Sequence, residues 1–548
     1  MLDVRWSHRS GYDTVQARWA EGLRRRTFPL LCAVFFLSGF SALVYQTAWQ
    51  RMLGLFAGSD AVAATLVVGA FLFGLGIGSL VGAVIADRLS DRGAILGFAG
   101  CEVGIGLFAL ASKLVLNDLL FQHVVPLHPG APLVALIVLA ALFVPTLLMG
   151  MSLPLLARAA VTRIETASSR IGLLYGVNTF GAAVGAGLGG FVLIGTMGYV
   201  GAVSLGAAIN LAVGSVAVAL ALRMRPTRVD HGAQANAVGG RSTALLWGWG
   251  LAVFVSGFLI ISLEIVWFRL VGAMMQSTAY SFALVLALFL VGDAMGILVG
   301  AWVVRRVRRP RHLFMLLQAG MALLAMGALL LVHVGHVYFD LASWFVLDTA
   351  YQRFGTLGGE LRLLAWLLLA GASVVPAAFL LGMSFPIAQK AVQQDLGEVG
   401  RRVGLIQLAN ILGNTVGALI TGLVFLHLIG TSGTLLLVGV AGFLFAVALA
   451  DDRREPWTFG LAGAVGLCLL VLPDNQALWA RIHGGDPADT LVGEDRTGTA
   501  VVFNLPDDQV PGAQALYVGG RWQSQMNPYS PVQGALGLLA AHVHPDPR

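Results

Sequence analysis

Charge is what this chain has least of. Only 11% of its 548 residues are Asp, Glu, Lys or Arg, against 57% hydrophobic, and the mean hydropathy is +0.81. That balance excludes a soluble globule with a charged surface. Long polar connections are also scarce. Apolar runs of roughly 20 residues, long enough to cross a bilayer as helices, recur about a dozen times with short loops between them. Cysteine is nearly absent, and Cys32, Cys101 and Cys468 all lie inside apolar runs, where neither a disulfide framework nor a metal site is expected. The net charge of +6 comes largely from arginines in a few loops. It is topology information and not a nucleic-acid footprint, so the partner implied is the lipid bilayer and no nucleic acid is expected.

What the chain does have is an internal repeat. SGFSALVYQTAWQR, Ser38 to Arg51, returns as SGFLIISLEIVWFR, Ser256 to Arg269, at a constant offset of 218. Trp49 aligns with Trp267 and Arg51 with Arg269, while Gln46 faces Glu264. Further on, GMSLPLLARA from Gly150 matches GMSFPIAQKA from Gly382, and Asn178 matches Asn410, now at an offset of 232. The change of offset places longer loops in the second copy, chiefly His336 to Glu360. The expected fold is an all-α multi-pass membrane protein, a 6+6 pseudo-symmetric helix bundle with a small C-terminal β-rich region. Its segments are a cytoplasmic tail over 1–27, a first six-helix lobe over 28–222, a linker over 223–243, a second lobe over 244–450, a linker and short apolar run over 451–472, and a β-rich tail over 473–548. The run from Trp457 is short for a span and leaves a thirteenth helix open. The tail carries GTAVVFNL and QALYVGGRWQS, which alternate as the strands of a hairpin. Basic clusters at alternate loops, from Arg88 and Arg92 to Arg453 and Arg454, place those loops and the N-terminus in the cytoplasm.

Glu102, Glu264 and Asp293 fall inside spans, where a charged side chain costs about 2.5–3.5 kcal/mol on insertion scales. They are candidates for a substrate cavity, together with Gln46, Asn178 and Asn410. The competing readings are structural pairing for the acids and helix bridging for the two asparagines. A negatively charged cavity favours cationic or proton-coupled cargo. Trp49 and Trp267 are expected as membrane-interface anchors. GLGIG at Gly74 to Gly78 and GAGLGG at Gly185 to Gly190 mimic dinucleotide fingerprints but lie within spans with no preceding strand, so close helix packing is the better reading and no cofactor is expected.

GAVIADRLSDR, Gly82 to Arg92, resembles the cytoplasmic loop between the second and third helices of the major facilitator superfamily. The resemblance implies a conformational latch formed by Asp87, Arg88, Asp91 and Arg92, with ordinary loop charge as the other reading. The repeat itself, the glycine-rich second span, GMSLP and LLYGVNTFGAAVGAGLGGF are similar to the membrane portion of bacterial fused major facilitator/spermidine synthase proteins. The tail extends the likeness, since EDRTGTAVVFN, LYVGGRWQS and HVHPDPR resemble the N-terminal β-region of an aminopropyltransferase. The family commonly carries Glu where this chain has Gln46. The nucleotide-binding and catalytic residues of such synthases would follow Arg548, so the resemblance implies no catalytic residue here. It implies a transporter in the bacterial plasma membrane for a small, polyamine-like amine. The alternative is a membrane-anchored aminopropyltransferase whose catalytic lobe is missing or supplied by a separate chain.

Overall fold

In a computed structural model the described residues are 7–57, 60–124, 130–224, 239–275, 278–339, 358–505 and 512–526. Most of the linker, most of the long loop after His336 and the segment from residue 527 onward lie outside them. The first half contributes α1 (Ser7–Ala57), α2 (Asp60–Ala86), α3 (Asp91–Ser112), α4 (Ala131–Ala160), α5 (Ile164–Leu188) and α6 (Ile194–Arg223). The second contributes α7 (Gly239–Met275), α8 (Thr278–Val303), α9 (Pro310–Phe339), α10 (Gly358–Val392), α11 (Val399–Ile420) and α12 (Gly430–Arg453). Then come α13 (Pro456–Val471), α14 (Asn475–Ile482) and the strands β1 (Thr490–Glu494), β2 (Thr499–Asn504), β3 (Gln514–Val518) and β4 (Arg521–Met526).

Among the described residues, 11 stretches are long and apolar enough to cross a membrane. One of them, Ile164–Arg223, has 60 residues and is broken at Gly198, whose φ of 68° lies outside the helical region. Gly189 packs on Val44 and Gly206 on Tyr45, whereas Gly214 has returned to Ala99, so this stretch passes twice and each half has six passes. α13 runs back beside α12 and α9. At its end Ser432 donates to the Pro473 carbonyl and Asn475 Nδ2 to that of Ile429 (2.6 Å), both at the start of α12. The short run from Trp457 is therefore a helix that returns along α12 to the start of that helix, bent by 74° into α14. Large apolar side chains on the outer faces, such as Leu331 at 75% and Leu470 at 84% exposure, would be an anomaly in water and suit lipid.

The repeat recurs contact for contact. Bilayers give helices no hydrophobic drive to associate, so they bind through close packing over small residues. A Cβ on Gly150 would strike the Leu75 carbonyl of α2, and one on Gly382 the Asp293 carbonyl of α8. Gly181 meets Phe36 of α1 as Gly413 meets Phe254 of α7. Arg170 Nη1 donates to the Ala160 carbonyl as Arg402 Nη1 does to that of Val392, both at 2.5 Å. Trp49 and Trp267 are not interface anchors: they are 0% and 2% exposed. Trp49 stacks on Tyr45 at 5.0 Å and meets Phe108 edge-on at 5.7 Å. The wide apolar interior between packed helices takes these rings more fully than a headgroup layer would.

Among the described residues, one cluster of buried apolar side chains spans both halves, and it lies at one end of the bundle. At the end carrying Arg158, Arg305 and Lys390, here called the basic face, one cluster runs across both halves, from Leu153 and Leu156 to Met383, Val403 and Ile406. At the far face the buried clusters are separate, although the halves still touch there, Gly190 against Ala283 and Gly69 against Leu419. Tyr45, Trp49 and Leu142 belong to a cluster confined to the first half, and Trp267 and Phe289 to one of the second half. That second-half cluster also takes in Trp479, Val501 and Tyr517 of the C-terminal region.

The strands form an antiparallel meander in the order β1-β2-β3-β4, where the sequence suggested a hairpin. β3 and β4 are joined by Gly519 and Gly520, whose positive φ values of 57° and 78° suit a tight two-residue turn. The sheet docks on the second lobe through Glu494, whose carboxylate accepts from Thr431 N (3.0 Å), Trp479 Nε1 (3.0 Å) and Arg269 Nη1 (3.2 Å). Arg269 also donates to the carbonyls of Asp495 (2.5 Å) and Arg496 (3.1 Å). Removing one partner of such a buried pair typically costs about 3–5 kcal/mol.

If backbone contact sets the helix spacing, Gly382→Ala is overpacked and loses about 1–3 kcal/mol. Gly460→Ala, with nothing within 4 Å of the added carbon, stays neutral or gains slightly. Thermal unfolding midpoints of the two variants in detergent check this, and equal midpoints would refute it.

Candidate functional site

Between the lobes lies a cavity of about 240 Å³. Gln46 from α1, Asn178 from α5, Glu264 from α7, Asp293 from α8 and Asn410 from α11 all line it. The duplication explains why they meet. Gln46 and Glu264 hold equivalent positions, as do Asn178 and Asn410, and Leu75, the counterpart of Asp293, also reaches the lining. The pseudo-symmetry of the backbone thus brings residues 200 or more positions apart to one place, and the sequence has put both carboxylates on the second lobe.

Glu102 is not among the lining residues. α3 packs behind α1, against α4 and α6, and Glu102 is 0% exposed. Its carboxylate accepts from Ser38 Oγ and from Asn210 Nδ2, both at 2.6 Å, while Asn210 Oδ1 takes the Tyr45 hydroxyl at 2.7 Å. Gln318 of α9 stands equivalently, donating to Ser256 and Ser384 at 3.0 Å each. Ser38 and Ser256, which open the two copies of the repeat, separate these side chains from the cavity they themselves line. Asn178 lines the cavity and also bridges helices, with Nδ2 donating to the Phe35 carbonyl at 2.9 Å.

Sequence reasoning passed over Ser38, Ser256, Gln407 and Asn414 as lining residues. A signal for them existed. Gln407, Asn410 and Asn414 fall three and four residues apart, the spacing of one helix face. Among the described residues neither Glu264 nor Asp293 accepts a hydrogen bond or forms an ion pair, and no Lys, Arg or His lines the cavity. Tyr175 and Phe385, whose ring centres are 4.5 Å apart, form part of the wall. The described residues contain no group of three or more metal-type ligands.

The basic face is closed by ties between the lobes. Asp87 accepts from the backbone N–H groups of Gly400 (2.8 Å) and Arg401 (2.7 Å) at the start of α11, where orphan donors and the helix dipole favour an anion. Burial pushes the Asp87 carboxyl above its ordinary range, and those two donors, with the nearby charge of Arg158, oppose the shift. Ser79 donates to the Gly404 carbonyl and to Gln407, both at 3.0 Å, and Arg305 donates to Ser169 at 3.2 Å. Asp91 stands 3.6 Å from Arg158 within the first lobe, Arg88 is exposed and Arg92 half-buried. Of the four latch candidates, Asp87 has a described tie across the lobes.

No protein-family model matches the chain, and no curated protein matches it. Solved structures similar to it include the E. coli fucose:proton symporter FucP, aligned over 84% of this chain and 98% of that one at 15% identity and a TM-score of 0.46. A structure of FucP, a major facilitator superfamily transporter, in the outward conformation covers 84% and 99% at 16% identity and a TM-score of 0.46. The human organic anion transporter MFSD10 covers 81% and 99% at 14% identity and a TM-score of 0.43.

Loss of the Asp87 cap by Asp87→Ala costs about 0.5–2 kcal/mol, an opening of the basic face roughly 2- to 30-fold more frequent. Maleimide labelling of a Ser79→Cys reporter, in a background with the three native cysteines changed to alanine, is expected to rise by that factor. An unchanged labelling rate would show that the cap does not hold the lobes together.

Proposed function

We propose that the protein is a transporter of major-facilitator type that moves a small cationic, amine-bearing solute of polyamine-like chemistry across the membrane by alternating access. The observation that carries this reading is the cavity between the lobes, where Glu264 and Asp293 lie without a counter-ion among the described residues. Two carboxylates out of bulk water are costly unless a cation joins them, and an ammonium supplies both the charge and the hydrogen-bond donors they lack. A volume of about 240 Å³ lies below the usual range for drug-sized ligands and suits a small solute.

Alternating access is supported by the uneven union of the lobes. Continuous core and polar ties close the basic face, while at the far face the buried clusters are separate and the halves meet through smaller contacts, an asymmetry that a rocking movement would exchange. We place the basic face and the N-terminus in the cytoplasm, by the positive-inside rule, and the protein in a bacterial plasma membrane. That orientation sets the β-region outside and counts against an anchored aminopropyltransferase completed by a separate lobe.

Uptake of a radiolabelled diamine into proteoliposomes tests the reading. Asp293→Asn and Glu264→Gln each remove a charged acceptor worth about 1.5–3 kcal/mol, and each is expected to lower uptake roughly 10- to 150-fold. Uptake indifferent to both changes removes the site.

A further inference from the structure

A second cavity, of about 130 Å³, lies at the far face beneath the C-terminal sheet. Its walls come from α7, α8 and α11 of the second lobe, from Val68 of α2, and from the β1–β2 turn at Arg496 to Thr499. Four residues, Val68, Ile261, Glu264 and Leu286, line both this cavity and the one between the lobes. Glu264 is thus a carboxylate at the junction of two chambers. The chambers differ in chemistry. The first is rich in amides and hydroxyls. Beyond Glu264 the second is walled mainly by apolar side chains, Ile265, Val285, Leu426 and the edge-to-face pair Phe268 and Phe282, whose ring centres are 5.6 Å apart, with Thr497 and Thr499 on the turn side. Arg269 also borders it, but its guanidinium is held by Glu494 and by carbonyls of the β1–β2 turn. The Arg496 side chain is exposed. The open acceptor at the junction is therefore Glu264.

We propose that the second cavity is an extension subsite that takes the methylene chain of a linear amine whose ammonium group rests at Glu264, so that the C-terminal sheet helps to select the solute by chain length. The inference rests on the cationic-solute reading above and adds the shape of the solute to it. A linear alkylamine rests its ammonium at Glu264 and lays its chain in the second cavity. Each further methylene then leaves water for the apolar chamber, which is worth about fourfold in affinity. A branched or compact amine gains nothing there. The β1–β2 turn is the outer wall, and its place is fixed by the ion pair between Arg269 and Glu494.

Equilibrium binding of n-alkylamines of increasing length to the full chain in lipid nanodiscs tests this. Affinity is expected to rise about fourfold per methylene until the second cavity is filled. Gly272→Leu and Gly498→Leu, on α7 and on the sheet, each push a side chain into the second cavity. A Cβ on Gly272 makes its nearest contact at 3.4 Å, with Ser281 Oγ, and one on Gly498 has nothing within 4 Å, so both backbones accept the change. Each is expected to abolish the rise with length, weakening the longest amine at least tenfold relative to the shortest. Amine binding that depends on Asp293 but shows no rise with length, or a rise unmoved by both changes, overturns the subsite and leaves the cavity reading standing. Absence of amine binding to the unaltered chain overturns both.

Discussion

Helices in a bilayer gain little by hiding apolar side chains from one another, because lipid is as apolar as leucine. Their spacing must come from shape. In this protein it comes from glycines that let one backbone rest on the next, and these contacts also aim the polar groups. Gly382 sits on the carbonyl of Asp293, Gly39 on that of Asn178 and Gly257 on that of Asn410. Three residues that line the cavity therefore have their own backbones clamped by a neighbouring helix. A side chain on a clamped backbone has few torsions left to vary, which would suit the proposed presentation of carboxylates and amides to a small solute.

The two lobes share a frame but not a chemistry. Where the second lobe brings Glu264 and Asp293 to the cavity, the first brings Gln46 and Leu75. The acid of the first lobe, Glu102, is withdrawn into a network of neutral donors, Ser38 and Asn210, and its counterpart Gln318 makes a similar network with no charge. A duplicated scaffold has thus kept its hydrogen-bonding geometry while its electrostatics drifted apart.

Much of the architecture was legible because it rests on local pattern. The length of the apolar runs gave the passes, and two offsets in one repeat gave the equivalence of the halves, down to the pairing of Leu75 with Asp293. The position of Glu102 was not legible. Rise per residue gives depth along a helix but not the direction a side chain faces, and α3 turns this acid toward α1 and α6 instead of the centre. Trp49 and Trp267 misled for a related reason. Tryptophan near a span end fits a headgroup layer or an aromatic cluster equally well, and only the packing of Tyr45 and Phe108 decides between them. The union of the cores at a single face also has no sequence signal, since it depends on residues from many helices at once.

The anchoring of the C-terminal sheet sets what can travel with what. Its described ties, from Glu494 to Thr431, Trp479 and Arg269, and from Gly520 to the end of α7, all lead to the second lobe or its extension. In a rocking cycle the sheet is cargo of that lobe, carried like a visor on a helmet. If the lobes rock as proposed, the far-face seam runs between Val68 of α2 and the rim of the visor, and it would be the first lobe that slides out from beneath an edge mounted on the second.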